Sequence, residues 1–140
     1  MIRIRQALPE EREALEELQR RASLANASDR PHLEAHPDAI HLPAEQIARG
    51  EVFVAEFHGR VAGFVAQIGS ELDGLFVEPQ LWGQGIGRAL VEKAVHEARR
   101  NGLSVSVIAN PAALGFYEKC GFAVEGAAWT RFGPALRMSR

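Results

Sequence analysis

The chain has 140 residues, 46% of them hydrophobic and 24% charged, with a formal net charge of −2. A chain of this length buries roughly two-thirds of the surface its unfolded form exposes, so one domain over 1–140 is expected without a disulfide or structural metal. The solitary Cys120 excludes an internal disulfide framework and a cysteine-rich zinc site. The opening Met1-Ile2-Arg3-Ile4-Arg5 lacks a signal peptide's apolar core, and no apolar run approaches the roughly 20 residues that span a bilayer. A cytoplasmic protein with no membrane association is the expectation. The slight negative charge argues against a nucleic-acid partner, which would call for a basic face.

In chain order, Ile2 to Gln6 alternates as a short strand. Pro9 then stands where a first helical residue would, with Glu10, Glu11 and Glu13 in the first turns, where the helix dipole favours acid. Leu15, Leu18 and Ala22 share a face, which predicts a helix over 9–24. Residues 26–41 carry Pro31 and Pro37 and little periodicity, and read as a loop with a short, broken helix. Pro43 to Arg49 reads as one or two helical turns, stopped by Gly50. Glu51 to Phe57 and Val61 to Ile68 are apolar runs joined across His58-Gly59, a hairpin signal. Glu71 to Val77 follows after Gly69-Ser70, which extends the hairpin into an antiparallel meander.

Pro79 ends that third strand. The segment Trp82-Gly83-Gln84-Gly85-Ile86-Gly87 leads into an amphipathic helix, in which Ile86, Leu90, Ala94 and Ala98 repeat every fourth residue and Asn101-Gly102 marks the end. Leu103 to Ala109 reads as a buried strand. Asn110-Pro111 reads as an N-cap and first helical residue, opening a short helix to Cys120 that Gly121 stops. Strands near Phe122–Trp129 and Pro134–Ser139 close the chain. The order is β-α-(α)-β-β-β-α-β-α-β-β. Its strand–helix–strand unit, 71–109, calls for two parallel neighbours and a right-handed crossover.

The chemistry concentrates at the glycines. Gly83, Gly85 and Gly87 alternate after a strand and at a helix start, where unpaired N–H groups and the dipole favour an anion and glycine lets a pyrophosphate approach closely. Two nucleotide motifs fail at Arg88. The dinucleotide fingerprint needs glycine there, and the phosphate loop G-x-x-x-x-G-K-[ST] fails at the same place. The pattern [Q/R]-x-x-G-x-G/A fits instead, with Trp82 departing at its first position. This resembles the acyl-coenzyme A pyrophosphate loop of the GNAT superfamily of N-acetyltransferases. Asn110-Pro111-Ala112-Ala113 followed by Phe116-Tyr117-Glu118-Lys119-Cys120-Gly121-Phe122 is similar to the same family's later strand–helix segment, and the likeness runs along essentially the whole chain.

The resemblance implies a GNAT-like α/β (α+β) fold: a mixed, mostly antiparallel sheet flanked by helices and splayed at the acyl-coenzyme A site. It implies acetyl-CoA as co-substrate and a primary amine, on a small molecule or peptide, as acceptor, with direct attack in a ternary complex and no metal. Tyr117 takes the place of the acid that protonates the departing thiolate, and Asn110 that of a coenzyme contact. Phe76 and Val77 take the place of the strand that pairs with the pantetheine arm and polarises the thioester oxygen. Trp82, Gly83, Gln84, Gly85, Ile86, Gly87 and Arg88 form the implied pyrophosphate loop, with Ala113, Phe116 and Tyr117 as further coenzyme contacts. Glu71, then Asp73, are the candidate bases, since both alternate with Leu72 on one strand. A homodimer is expected from family habit alone.

Other features read blandly. His32 and His36 have i, i+4 spacing, but the intervening glutamate is misplaced for H-E-x-x-H. The segment 26–41 and Trp129 and Arg131 are expected to border the acceptor site. Cys120, at a helix end with no neighbouring His, reads as packing. Two rival readings stand beside the enzyme: a non-catalytic acyl-coenzyme A binding module on the same fold, and a nucleotide-binding protein whose glycine loop serves ATP or NAD.

Overall fold

The computed structural model describes residues 1–140 except Ser28, which lies within the irregular stretch anticipated at 26–41. Among the described residues, seven strands form one sheet: β1 (Ile2–Gln6), β2 (Val52–Phe57), β3 (Arg60–Ile68), β4 (Glu71–Val77), β5 (Ser106–Ala109), β6 (Ala123–Thr130) and β7 (Gly133–Ser139). Their order across the sheet is β1-β2-β3-β4-β5-β7-β6. The neighbours are antiparallel except β4 and β5, which are parallel as the strand–helix–strand unit requires.

The helices are α1 (Arg12–Ala25), α2 (Arg30–Ala35), α3 (Ala44–Ala48), α4 (Ile86–Arg100) and α5 (Leu114–Lys119). The first begins as a 3-10 turn over Pro9–Glu11, where Pro9 supplies a preset φ. The predicted strand 103–109 is shorter. Leu103 N–H bonds the Ala98 carbonyl and closes α4, and Leu103 itself is exposed. The ladder therefore starts only at Ser106.

Two apolar clusters sandwich the sheet. On one face, Ile86, Leu90, Val91, Ala94, Val95 and Ala98 of α4 pack with Phe53, Val65, Leu72, Val107, Tyr117 and Met138. On the other, Leu15 and Leu18 of α1 pack with Ile47, Val52, Val54 and Phe64. Each fully buried aliphatic side chain of this kind contributes about 1.5–3 kcal/mol, so α4 and α1 are held by their sheet-facing stripes.

A bulge in β4 decides which side chains reach which face. Gly74 pairs with Ala66 and Leu72 with Gln67, which leaves Asp73 as the extra residue. One inserted residue reverses the alternation beyond it. Leu75 and Val77 consequently pack with Leu72 on the α4 face, while Phe76 turns to the α1 face and meets Phe64 at 5.4 Å between ring centres.

Candidate functional site

The site starts where β4 and β5 part. Their pairing covers Glu71 with Ser106 and Leu72 with Val107, and β5 then continues beside β7 alone. The second half of β4 keeps β3 on one edge and has a gap on the other. Glu78 N–H bonds the Ala62 carbonyl of β3 at 2.8 Å. Because backbone groups alternate edges along a strand, the N–H and C=O of Val77 face the gap.

Beyond Val77 the chain passes through Pro79–Leu81 and enters the glycine loop. Gly83 and Gly85 hold φ of +86° and +83°, a region that a side chain makes costly. Gly85 is the N-cap of α4 and no side chain caps it, so the first N–H groups of a 15-residue helix stay directed along its axis. Gly87 lies on the first turn, where an added Cβ would stand 3.2 Å from the Phe116 ring. Its hydrogen is what lets α4 and α5 close up there.

Trp82 is half-exposed, and its indole N–H donates to the Val77 carbonyl at 2.9 Å. It thereby ties the loop to the end of β4. On the other side, Arg21 of α1 makes a bidentate pair with Glu78, both contacts at 3.0 Å, anchoring the last turns of α1 above the same strand end. The Arg21 guanidinium holds its proton more firmly for that reason.

These elements enclose a cavity of about 490 Å³. Of the residues singled out from sequence, Phe76, Val77, Trp82, Gly83, Gly85, Ile86, Gly87, Arg88, Ala113 and Phe116 line it. Gln84 is exposed on the loop outside the lining. Asn110 stands one bond behind it: its side-chain oxygen accepts from Ala112 N–H at 2.9 Å, and its Nδ2 donates to Asp29 at 3.0 Å.

Tyr117 is buried at 7% exposure, edge-on to Phe116 and Phe122 at 5.1 and 5.4 Å. It sits in the core directly behind the wall that Phe116 forms. Burial pushes its hydroxyl up to about 12, with neighbouring Cys120 adding in the same direction. The phenol is therefore fully protonated at neutral pH and can donate.

Glu71 and Asp73 are exposed and do not line the cavity. Glu71 pairs with Ile68 at the hairpin end of β4, and the lining begins only at Leu75. Asp73 is the bulge residue, so strict alternation holds only up to it and reverses for the residues beyond.

For the other wall, sequence reasoning pointed to the segment 26–41 as a border but singled out neither Asp29 nor the end of α1. Ala22, Ser23 and Asn26 at the end of α1, and Asp29 before α2, line the cavity opposite the glycine loop. The available signal was Asp29-Arg30-Pro31, an N-cap residue followed by proline at a helix start. Alongside, His32 and His36 stack on Phe132 of the β6–β7 turn at 5.0 and 6.3 Å, with Arg131 over the same ring. That pairing brings α2 and the last hairpin together. No group of three or more His, Cys, Asp or Glu residues that could hold a metal occurs among the described residues. Cys120 is buried beneath α5, and burial raises its thiol.

The model of the acetyltransferase (GNAT) family matches residues 12–122. The chain belongs to this family. Peptidyl-lysine N-acetyltransferase YjaB of Salmonella typhimurium is 46% identical over 65 residues, which cover 46% of this chain and 43% of that protein. The match thus spans under half the length of this curated GNAT relative. The solution structure of apo YjaB from Escherichia coli superposes with a TM-score of 0.75 at 29% identity, covering 99% of this chain and 97% of that one. PaiA N-acetyltransferase of Thermoplasma acidophilum, solved with coenzyme A, superposes at 0.79 and 21% identity over 100% and 98% of the two chains. The mixed, mostly antiparallel sheet with flanking helices is the GNAT fold. Among the described residues, no helix is long and apolar enough to cross a membrane.

Proposed function

We propose that the chain transfers an acetyl group from acetyl-CoA to a primary amine, by direct attack while both substrates are bound. What carries this reading is the gap between β4 and β5, which opens onto the uncapped start of α4. A thioester with a long polar arm and a pyrophosphate fits that shape. The pyrophosphate would rest on the N–H groups around Gly85–Arg88, with the Arg88 side chain, also in the lining, adding charge. The pantetheine arm would run along Leu75–Val77 as a further extended segment, beside a strand edge that β5 has left.

The Val77 N–H, facing the gap, is the donor suited to the thioester oxygen as it gains charge. One such preorganised donor is worth about 10²–10³ in rate. Binding both substrates in one cleft removes much of the entropic barrier. Tyr117 would donate its proton to the departing thiolate. Its place behind Phe116 calls for the sulfur to lie at that wall, and at neutral pH the phenol carries the proton that a donor needs.

The relatives named YjaB make a lysine-containing peptide the first acceptor to try. The test is release of free thiol from acetyl-CoA with a panel of amines and lysine peptides, with the product weighed by mass spectrometry. An acetylated amine in step with thiol release is the expected result. Calorimetric binding of acetyl-CoA with no turnover on any acceptor would instead favour a non-catalytic module. Tight binding of ATP or NAD with none of coenzyme A would overturn the reading.

A further inference from the structure

Asp29 is the one carboxylate among the described residues lining the cavity, and Arg88 is the one cation. The two charges serve different ends of the space: Arg88 belongs to the glycine-loop wall, and Asp29 to the wall made by the end of α1 and the start of α2. Between them the lining is mainly apolar, with Leu75, Val77, Ile86, Ala113 and Phe116. A lone carboxylate half-buried against such a surface calls for a cation to face it.

Local structure makes no use of this carboxylate. Asp29 occupies the N-cap position of α2, where aspartate normally accepts a bond from the helix's first turn. Yet its side chain makes no cap bond. It is turned instead toward Asn110, whose Nδ2 donates to Oδ1 at 3.0 Å across 81 residues of sequence. Asn110 is itself held by Ala112 N–H, so the bond fixes one carboxylate oxygen from a firm support. Among the described residues nothing bonds Oδ2.

We propose that Asp29 holds the ammonium group of the acceptor and takes its proton before attack, with the Oδ2 atom as the receiving oxygen. The substrate class is a cationic primary amine. The assignment rests on the acetyltransferase reading given above. In the step, the ammonium passes one proton to Asp29 and the freed lone pair forms the C–N bond at the thioester carbon. The C–S bond then breaks. Nitrogen's second proton replaces the one Tyr117 gives to sulfur, and the proton on Asp29 leaves to solvent. Burial lifts the Asp29 carboxyl above the ordinary aspartate range, against the Asn110 bond and His32, which both pull it down. A carboxylate so placed is a stronger proton acceptor than a solvated one.

The test uses the full chain with acetyl-CoA and a lysine-containing peptide. Asp29→Asn keeps an Oδ1 acceptor for Asn110 and removes the base. The expected result is a loss of about 100-fold or more in turnover, with calorimetric affinity for coenzyme A within about 2-fold of wild type. Asp29→Glu retains the charge and should recover at least about a tenth of the wild-type rate. It also serves as the check if Asp29→Asn does not fold, since a Glu variant as inactive as a heat-killed control overturns the assignment. Wild-type turnover in Asp29→Asn overturns it as well, and leaves the acetyltransferase reading intact. A wild-type chain that binds acetyl-CoA and acetylates neither this peptide nor any amine of the panel overturns both.

Discussion

The indole N–H of Trp82 donates to the carbonyl of Val77 at 2.9 Å. One bond thus joins the glycine loop to the strand end whose N–H faces the gap between β4 and β5. Trp82 stands where the family pattern has Gln or Arg, and its half-exposed ring adds little to the core. What it contributes is the position of the loop. Trp82→Phe keeps the ring and removes the donor. Thermal stability should hold, because the group is exposed. Affinity for coenzyme A should fall by about 3- to 10-fold, the cost of one hydrogen bond of roughly 1 kcal/mol. Calorimetric titration measures it, and unchanged affinity would remove the loop-positioning role.

Gly85 tests the helix start directly. Its φ of +83° is costly for any L side chain, about 1–2 kcal/mol for alanine. Nothing lies within 4 Å of an added Cβ, so Gly85→Ala is penalised by its backbone rather than by a clash. Loss of about 1–2 kcal/mol in urea unfolding and a drop of more than 10-fold in coenzyme A affinity are expected if the loop relaxes to relieve the strain. Loss of stability with full affinity would separate the loop's conformation from binding.

Much of this arrangement could be read from sequence, and the boundary of what could is physical. Gly83, Gly85 and the apolar repeat from Ile86 to Ala98 are local signals, and they fell where the structure has the loop and α4. The parallel pair β4 and β5 followed from element order. Gly74 within β4 is a local sign of a bulge, and the structure puts the extra residue beside it, at Asp73; which faces the residues beyond it take depends on how β4 meets β3. The Asp29–Asn110 bond joins segments 81 residues apart. Only the fold brings them together, so the segment 26–41 could be placed at the border from sequence while Asp29 itself could not be singled out.

Tyr117 supplies a prediction in alkali. Its hydroxyl is raised from 10.0 to about 12 by burial, so between those values the unfolded chain has lost a proton that the folded chain keeps. Stability then falls as pH rises through that window and is flat below it on this account. Two units correspond to about 2.7 kcal/mol at full effect. Tyr117→Phe removes the ionisable group. Wild type and variant should therefore show a stability difference that changes by about 2–3 kcal/mol between pH 9.5 and 12, read from urea unfolding at each pH. In the enzyme assay, the same variant should lose turnover by about 10²-fold with coenzyme A binding retained.

At the other end of the chain, Glu11 secures the start of α1. Its carboxylate accepts the Leu8 N–H at 2.8 Å and forms a two-pronged pair with Arg5 at 2.9 and 2.8 Å, while Arg5 also reaches Glu56 of β2 at 3.0 Å. The Arg5 guanidinium is the main reason the Glu11 carboxyl lies below its usual value, with the Leu8 bond helping and burial opposing. A carboxyl lowered on folding stabilises above its unfolded pKa, and that stability is lost as pH falls through the folded value. Glu11→Gln keeps an acceptor for Leu8 but discards the charge. It should cost about 1–2 kcal/mol at pH 7, and the gap to wild type should close as the pH is lowered below the ordinary glutamate range. Because the cavity lies at the far end of α1, coenzyme A affinity should be unchanged. A variant equally destabilised at pH 7 and at pH 3 would show that the Arg5–Glu11–Glu56 cluster acts through packing rather than charge.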